Sequence, residues 1–186
     1  MQSYWEALAD RPIFHTARLT LRRPTEEDAP AIIAIASDWE VASRLARMPH
    51  PYGSENAKFF LTEIVPVELV WVIVERLSGQ LVGVIGLAPR EGADDRIELG
   101  YYIARTHWAR GIATEAASVV VAYGVGLVGR ERMAASFFAD NPASGRVLEK
   151  LGFVARGRSE RLCAATGTIK PLVKMSLTEA PVQEPA

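Results

Sequence analysis

The sequence predicts an α+β fold in which helices lie on both faces of a mixed sheet. Three observations carry that expectation. Apolar segments with strand character recur along the chain, helical segments with recognisable starts fall between them, and glycine, proline or short polar runs punctuate the joins. The 186 residues suit one domain. Arg18–Arg22 opens the pattern, with Leu19 and Leu21 alternating as in a half-buried strand. Thr25 then caps a helix to Ser37, with Glu26, Glu27 and Asp28 in its electropositive first turn. A second helical stretch covers Trp39 to Arg47, and Pro49, Pro51 and Gly53 force a loop after it. Ser54 begins another helix, to about Val65. Leu69–Leu77 and Leu81–Pro89 form a strand pair around Ser78-Gly79, and Arg96–Ala104 follows the polar loop Glu91–Asp95. Thr114 to about Val128 suits a buried helix. Arg132–Phe138 is a strand, Ala143–Leu151 a helix, and Phe153–Arg161 and Ile169–Leu177 a final strand pair. Only the first dozen residues and Thr178–Ala186 read as loose.

Composition narrows the function classes. With 21 Lys+Arg against 22 Asp+Glu the formal charge is −1, so no basic excess points to nucleic acid. The single Cys163 excludes an intramolecular disulfide framework and a cysteine-rich zinc site, and reads as inert. His15, His50 and His107 show no metal-ligand spacing, so no metal is expected. The longest apolar stretch, Ala116–Val128, falls short of the roughly 20 residues that cross a bilayer. Nothing at the start resembles a secretory signal, so a cytoplasmic, membrane-free protein is expected.

Two glycine patterns compete for the role of phosphate loop. Gly124-Val125-Gly126-Leu127-Val128-Gly129 fits G-x-G-x-x-G, with Glu149 twenty residues past the last glycine, as a dinucleotide site would want. Only 57 residues follow Gly129, too few for the rest of a two-half nucleotide fold. The competing reading has these glycines end a helix and let it pack closely. The other pattern is Trp108-Ala109-Arg110-Gly111-Ile112-Ala113-Thr114-Glu115-Ala116, which follows a strand and opens a helix. Small residues there let a loop wrap an anion, and the first helical turn offers unpaired amides. No Gly-Lys-Ser/Thr is present, which argues against an ATP or GTP loop.

Four segments stand in one order: Thr16–Pro24 with the acidic Glu26–Asp28, Glu98-Leu99-Gly100-Tyr101-Tyr102-Ile103, Trp108–Ala116, and Asn141-Pro142-Ala143-Ser144 leading to Leu148–Phe153. Together they resemble the GNAT superfamily of N-acetyltransferases, in its RimJ/RimL-type branch of ribosomal-protein N-terminal acetyltransferases, over roughly residues 16–178. The resemblance implies one acetyltransferase domain with a mostly antiparallel sheet of about seven strands. Strands ending near Ile103 and Phe138 would splay apart to admit acetyl-CoA as co-substrate, without a metal. Arg110, Gly111, Ile112, Ala113, Thr114 and Glu115 map onto the pyrophosphate loop, acting mainly through backbone amides. Ile103 and Arg105 map onto the strand end beside the pantetheine arm, with the amide near Ile103 as oxyanion donor. Asn141 and Ser144 map beside the pantetheine and the departing sulfur. The sequence departs from the family at Leu148, where many members carry a proton-donating tyrosine, so proton return falls to Ser144 or water.

The nucleophile must be a neutral amine. At pH 7.4 an α-amine of pKa ~7.8 is about 30% neutral and a lysine of pKa ~10.4 about 0.1%, a difference of roughly 3.4 kcal/mol. A modest base therefore favours an α-amine. Glu98 is the candidate base, because residues 98, 100 and 102 share one strand face, and Tyr102 would line the acceptor pocket with it. A carboxylate bonded to its neighbours for structure alone is the competing account. His50 and Tyr52, in the loop between the first helices, would wall the acceptor side. The expected acceptor is a protein N-terminus, with a small amine (antibiotic, polyamine or amino acid) as the alternative, in a monomer or homodimer. From a different class, a NAD-dependent oxidoreductase would use Gly124–Gly129.

Overall fold

A computed structural model describes residues 4–89 and 96–177. The expected loop at Glu91–Asp95 and the tail Thr178–Ala186 lie outside the described residues. From Tyr4 onward the first segment is helical rather than loose. Helix α1 (Tyr4–Ala9) docks because the Tyr4 hydroxyl donates to the Leu87 carbonyl at 2.8 Å and accepts from the Leu69 amide at 3.2 Å. Strand β1 (Phe14–His15) pairs with β2 (Leu19–Arg22), which raises the expected count of about seven strands to eight.

The acidic run Glu26–Asp28 forms a 3-10 turn, and α2 spans Ala29–Ala36. Asp28 explains the break, since its carboxylate accepts from the Thr25 amide at 2.8 Å and from both Arg22 terminal nitrogens at 2.7 Å. Burial alone would raise its pKa, but the Arg22 guanidinium and the Thr25 amide outweigh it and hold the carboxyl below its usual value. Helix α3 is only Trp39–Ala42, not the longer segment expected, and α4 (Ser54–Phe59) passes into a π-helical turn at Phe60–Ile64. The remaining elements are β3 (Leu69–Glu75), β4 (Leu81–Pro89), β5 (Ile97–Ile103), α5 (Ile112–Val128), β6 (Met133–Phe138), α6 (Pro142–Lys150), β7 (Phe153–Cys163) and β8 (Thr168–Leu177).

The sheet order is β1-β2-β3-β4-β5-β6-β8-β7, and β5–β6 is its parallel pair. One face is buried under α1, α5 and α6 around Leu87, Leu99, Val120, Leu148 and Phe153. The other is covered by α2 and α4 around Ile32, Ala57, Val70, Val72 and Val84. Cys163 is fully buried beside Phe138 and Leu172, its Sγ against the carbonyls of Ser43 and Leu45 at 3.5 and 3.6 Å. No helix among the described residues is long and apolar enough to cross a membrane.

The G-x-G-x-x-G run is not a phosphate loop. Gly124 and Gly126 lie inside α5, and a Cβ on Gly124 would stand 2.8 Å from Met133 Sδ and 3.0 Å from Leu87 Cδ1. That glycine lets the helix approach β4 and β6, while Gly129, at φ +86°, ends it. A dinucleotide fingerprint needs its glycines in the turn ahead of the helix. The nicotinamide reading fails on that ground.

Candidate active site

Strands β5 and β6 pair only where Ile97–Leu99 face Met133–Ala135, and beyond that the two diverge. The Ala104 amide donates to the Val82 carbonyl at 2.8 Å, which fixes the antiparallel β4–β5 alternation. By that alternation the main-chain groups of Tyr101 and Ile103 face away from β4, into the gap. Trp108 Nε1 donates to the Ile103 carbonyl at 2.8 Å and anchors the chain as it leaves β5.

The turn ahead of α5 is built from two left-handed residues, Ala109 at φ +58° and Gly111 at φ +76°. Ala109 is the one non-glycine residue with positive φ among the described residues, a conformation costing on the order of 1–2 kcal/mol. Such strain at a helix start is typical of a loop shaped for a ligand. The first helical hydrogen bond runs from the Glu115 amide to the Gly111 carbonyl at 3.0 Å. The amides of Ile112, Ala113 and Thr114 therefore precede the helical ladder and are offered to an anion.

The charged residues of this segment hold the turn in place. Glu115 accepts from Thr16 Oγ1 at 2.6 Å, the Arg18 amide at 2.9 Å and Arg18 Nε at 2.7 Å. Arg18 Nη1 donates to the Arg110 carbonyl at 2.9 Å. Arg110 pairs with Glu75 at 3.2 Å, and Arg105 with Asp38 at 3.1 Å. The carboxylate of Glu115 and the guanidiniums of Arg105 and Arg110 are thus engaged within the protein.

Burial opposes ionisation of Glu115, but Thr16 and Arg18 outweigh it and hold the carboxyl below its ordinary 4.5. A depressed carboxyl stabilises the fold fully above its unfolded-state pKa, and that contribution is lost as pH falls through the lower folded-state value. Glu115→Gln is expected to lower the melting temperature at pH 7 by several degrees, for about 2 kcal/mol. The gap from the parent should close toward pH 3, read by thermal denaturation across pH.

Helix α6 brings a second group to the gap. Asn141 caps it, its Oδ1 accepting from the Ser144 amide at 3.4 Å. Gly145 lets the helix settle on Phe137, whose Cζ would lie 2.7 Å from a Cβ there. The Tyr101 hydroxyl stands 2.9 Å from Ser144 Oγ. Burial pushes the Tyr101 phenol up to about 12, with the Ser144 hydrogen bond opposing, so it stays protonated at neutral pH. Leu148 is 1% exposed and belongs to the core. Tyr101 is not among the residues the sequence marks out, because 98, 100 and 102 share the other face of the strand. The same period of two sends 101 to the α6 side.

On the opposite face Ser136 donates to Glu98 Oε1, and both line a polar cavity of about 240 Å³ with Ser159, Glu160, Arg161 and Lys174. Tyr102 lies on this face and packs into the same cluster as Tyr52. Burial raises both phenols, that of Tyr52 to about 12. His50 is exposed and meets the Trp39 ring edge-on at 5.1 Å. Glu98 and Ser144 thus stand on opposite sides of β5, next to the gap. Among the described residues no group of three or more His, Cys, Asp or Glu is placed to hold a metal ion.

A fold with a splayed parallel pair and an amide-rich turn beside it is the architecture of an acyl transferase. The profile of the acetyltransferase (GNAT) domain family matches residues 18–154. An uncharacterized N-acetyltransferase of Bacillus subtilis, YoaA, is 35% identical over 168 residues, covering 84% of this chain and 91% of its own. A GNAT-family acetyltransferase from Bacillus anthracis superposes with a TM-score of 0.78 at 21% identity, over 90% of this chain and 99% of its own. The ribosomal-protein-S5-alanine acetyltransferase of Vibrio fischeri gives 0.74 at 18% identity, over 94% and 100%. A spermidine N-acetyltransferase SpeG chimera from Vibrio cholerae and hSSAT gives 0.69 at 18%, over 87% and 95%. The chain belongs to the GNAT family and is an N-acetyltransferase.

Proposed function

We propose that this enzyme transfers the acetyl group of acetyl-CoA directly to a primary amine, with the α-amine of a peptide or protein N-terminus as the leading acceptor class. The carrying observation is the left-handed turn at Ala109–Gly111, which offers the amides of Ile112, Ala113 and Thr114 beside the β5–β6 gap. Those residues fit a diphosphate, at on the order of 1.5–3 kcal/mol for each charge-assisted bond. Acetyl-CoA supplies an acyl group already activated as a thioester, with a thiol leaving group of pKa near 8.5.

The chain's own groups divide the remaining work. Glu98 takes the proton from the acceptor amine, directly or through water, as the new C–N bond forms. The Ile103 amide, directed into the gap, donates to the oxygen that gains charge. As the C–S bond breaks with its electron pair on sulfur, the Ser144 hydroxyl, oriented by the Tyr101 hydroxyl 2.9 Å away, hydrogen-bonds the departing thiolate, which takes its proton from water. The N-terminal acceptor is supported by the acid–base arithmetic that favours an α-amine and by the likeness to the Vibrio fischeri enzyme. A small amine is the second reading, favoured by the modest size of the cavity beside Glu98.

The test is thermal-shift titration followed by an acceptor screen read by free-thiol release. Acetyl-CoA is expected to raise the melting temperature, and short peptides with free N-termini to release thiol faster than their N-blocked forms. Stabilisation by NAD and not by acetyl-CoA would overturn the reading.

A further inference from the structure

The cavity beside Glu98 is lined by two cations for which the transfer step has no use, Lys174 and Arg161, with Glu160 also at its wall. Lys174 of β8 faces Ser136 across the β6–β8 ladder, so its side chain leaves the sheet on the face that holds Ser136 and Glu98. It is half-buried, yet among the described residues its ammonium has no hydrogen bond or ion pair. Lys170, four residues earlier on the same strand, shows the ordinary solution: Asp140 at 2.6 Å and the Ser43 carbonyl at 3.0 Å. On the β7 side Lys174 is paired with Gly157, which has no side chain to cover it. The Lys174 ammonium is thus left open to an anion that enters the cavity.

Glu98 and Lys174 line one cavity of about 240 Å³ without an ion pair between them. That volume suits a small zwitterionic head, with a nitrogen at one end and an anion at the other. We propose that the acceptor is a primary amine bearing a carboxylate a few bonds from its nitrogen, with Glu98 facing the nitrogen and Lys174 the carboxylate. The Lys174 ammonium and the Ser159 hydroxyl, with Arg161 at the same cavity, offer donors enough for a carboxylate, and a polyamine would set its second cation against Lys174 and Arg161. The inference rests on the acetyl-transfer reading and deepens it. The carboxylate has two sources: the α-carboxylate of a free amino acid, or the side chain of an acidic first residue in a peptide.

The experiment uses matched acceptors, methionine against methioninamide and an Asp-first tripeptide amide against its Asn-first counterpart, with spermidine as a polycation. Each is assayed by thiol release with the parent, Lys174→Met and Lys174→Glu proteins. Calorimetry measures the carboxylated amines binding to CoA-saturated protein, and acetyl-CoA binding to each variant. The parent is expected to prefer the carboxylated member of at least one pair by about tenfold or more in kcat/KM. Lys174→Met should bring that ratio near one by raising KM, Lys174→Glu should invert it, and acetyl-CoA affinity should be unchanged in both. A response from the methionine pair assigns a free amino acid, and one from the peptide pair an acidic N-terminus. A ratio unmoved by Lys174→Met, or no binding of either carboxylated amine to CoA-loaded protein, overturns the inference while leaving acetyl transfer intact. A protein that neither binds acetyl-CoA nor releases thiol with any amine overturns the transfer reading itself.

Discussion

Glu98→Gln is expected to lower kcat at neutral pH by about 10²- to 10⁴-fold, the range a positioned general base contributes. Glutamine can still accept from Ser136, so the local fold should persist and melting should change little. The affinity for acetyl-CoA should also be unchanged, because the amide-bearing turn lies beyond the end of β5 and on a different element. The defect should shrink as pH rises through the pKa of the acceptor amine, since solvent then performs the deprotonation. Steady-state kinetics over pH with saturating amine checks this, and turnover equal to the parent would dismiss Glu98 as the base.

The second large effect is expected at Gly111. At φ +76° it occupies a conformation that a β-branched residue adopts only at a cost of roughly 1–3 kcal/mol. Gly111→Val should let the unliganded turn relax, so binding must first restore the strained shape. Acetyl-CoA affinity is then expected to fall about 10- to 100-fold, with kcat at saturation less affected. Calorimetric titration measures it directly. A variant with parental affinity would mean that the left-handed turn does not hold the diphosphate.

Much of this arrangement was legible in the residues. Alternating leucines at 19 and 21 and the apolar run Leu69–Leu77 correspond to observed strands, the second ending at Glu75, and Ser78-Gly79 lies in the turn that follows it. The segment 108–116 does stand between a strand and a helix, as its composition required. Illegible features depended on partners distant in sequence. The α1 helix is short and weakly patterned, and it is fixed by one phenol bridging Leu87 and Leu69. Likewise the segment after Ala42 leaves the helix although no proline or glycine intervenes before Pro49; its carbonyls at Ser43 and Leu45 meet Cys163 and Ser43 also meets Lys170. Within the site, spacing could suggest Glu115 and Arg110 as members of the turn, but not that Arg18, Thr16 and Glu75 already engage their charges. Lys174 gave no local signal at all, since only the β6–β8 register sets it across from Ser136.

The brief contact between β5 and β6 has a mechanical consequence. The sheet is in effect two stiff plates, β1 to β5 and β6 to β8, fastened along a seam no longer than Ile97–Leu99. A molecule that reached across the open end would act as a rivet, and the plates would flex least when it was in place.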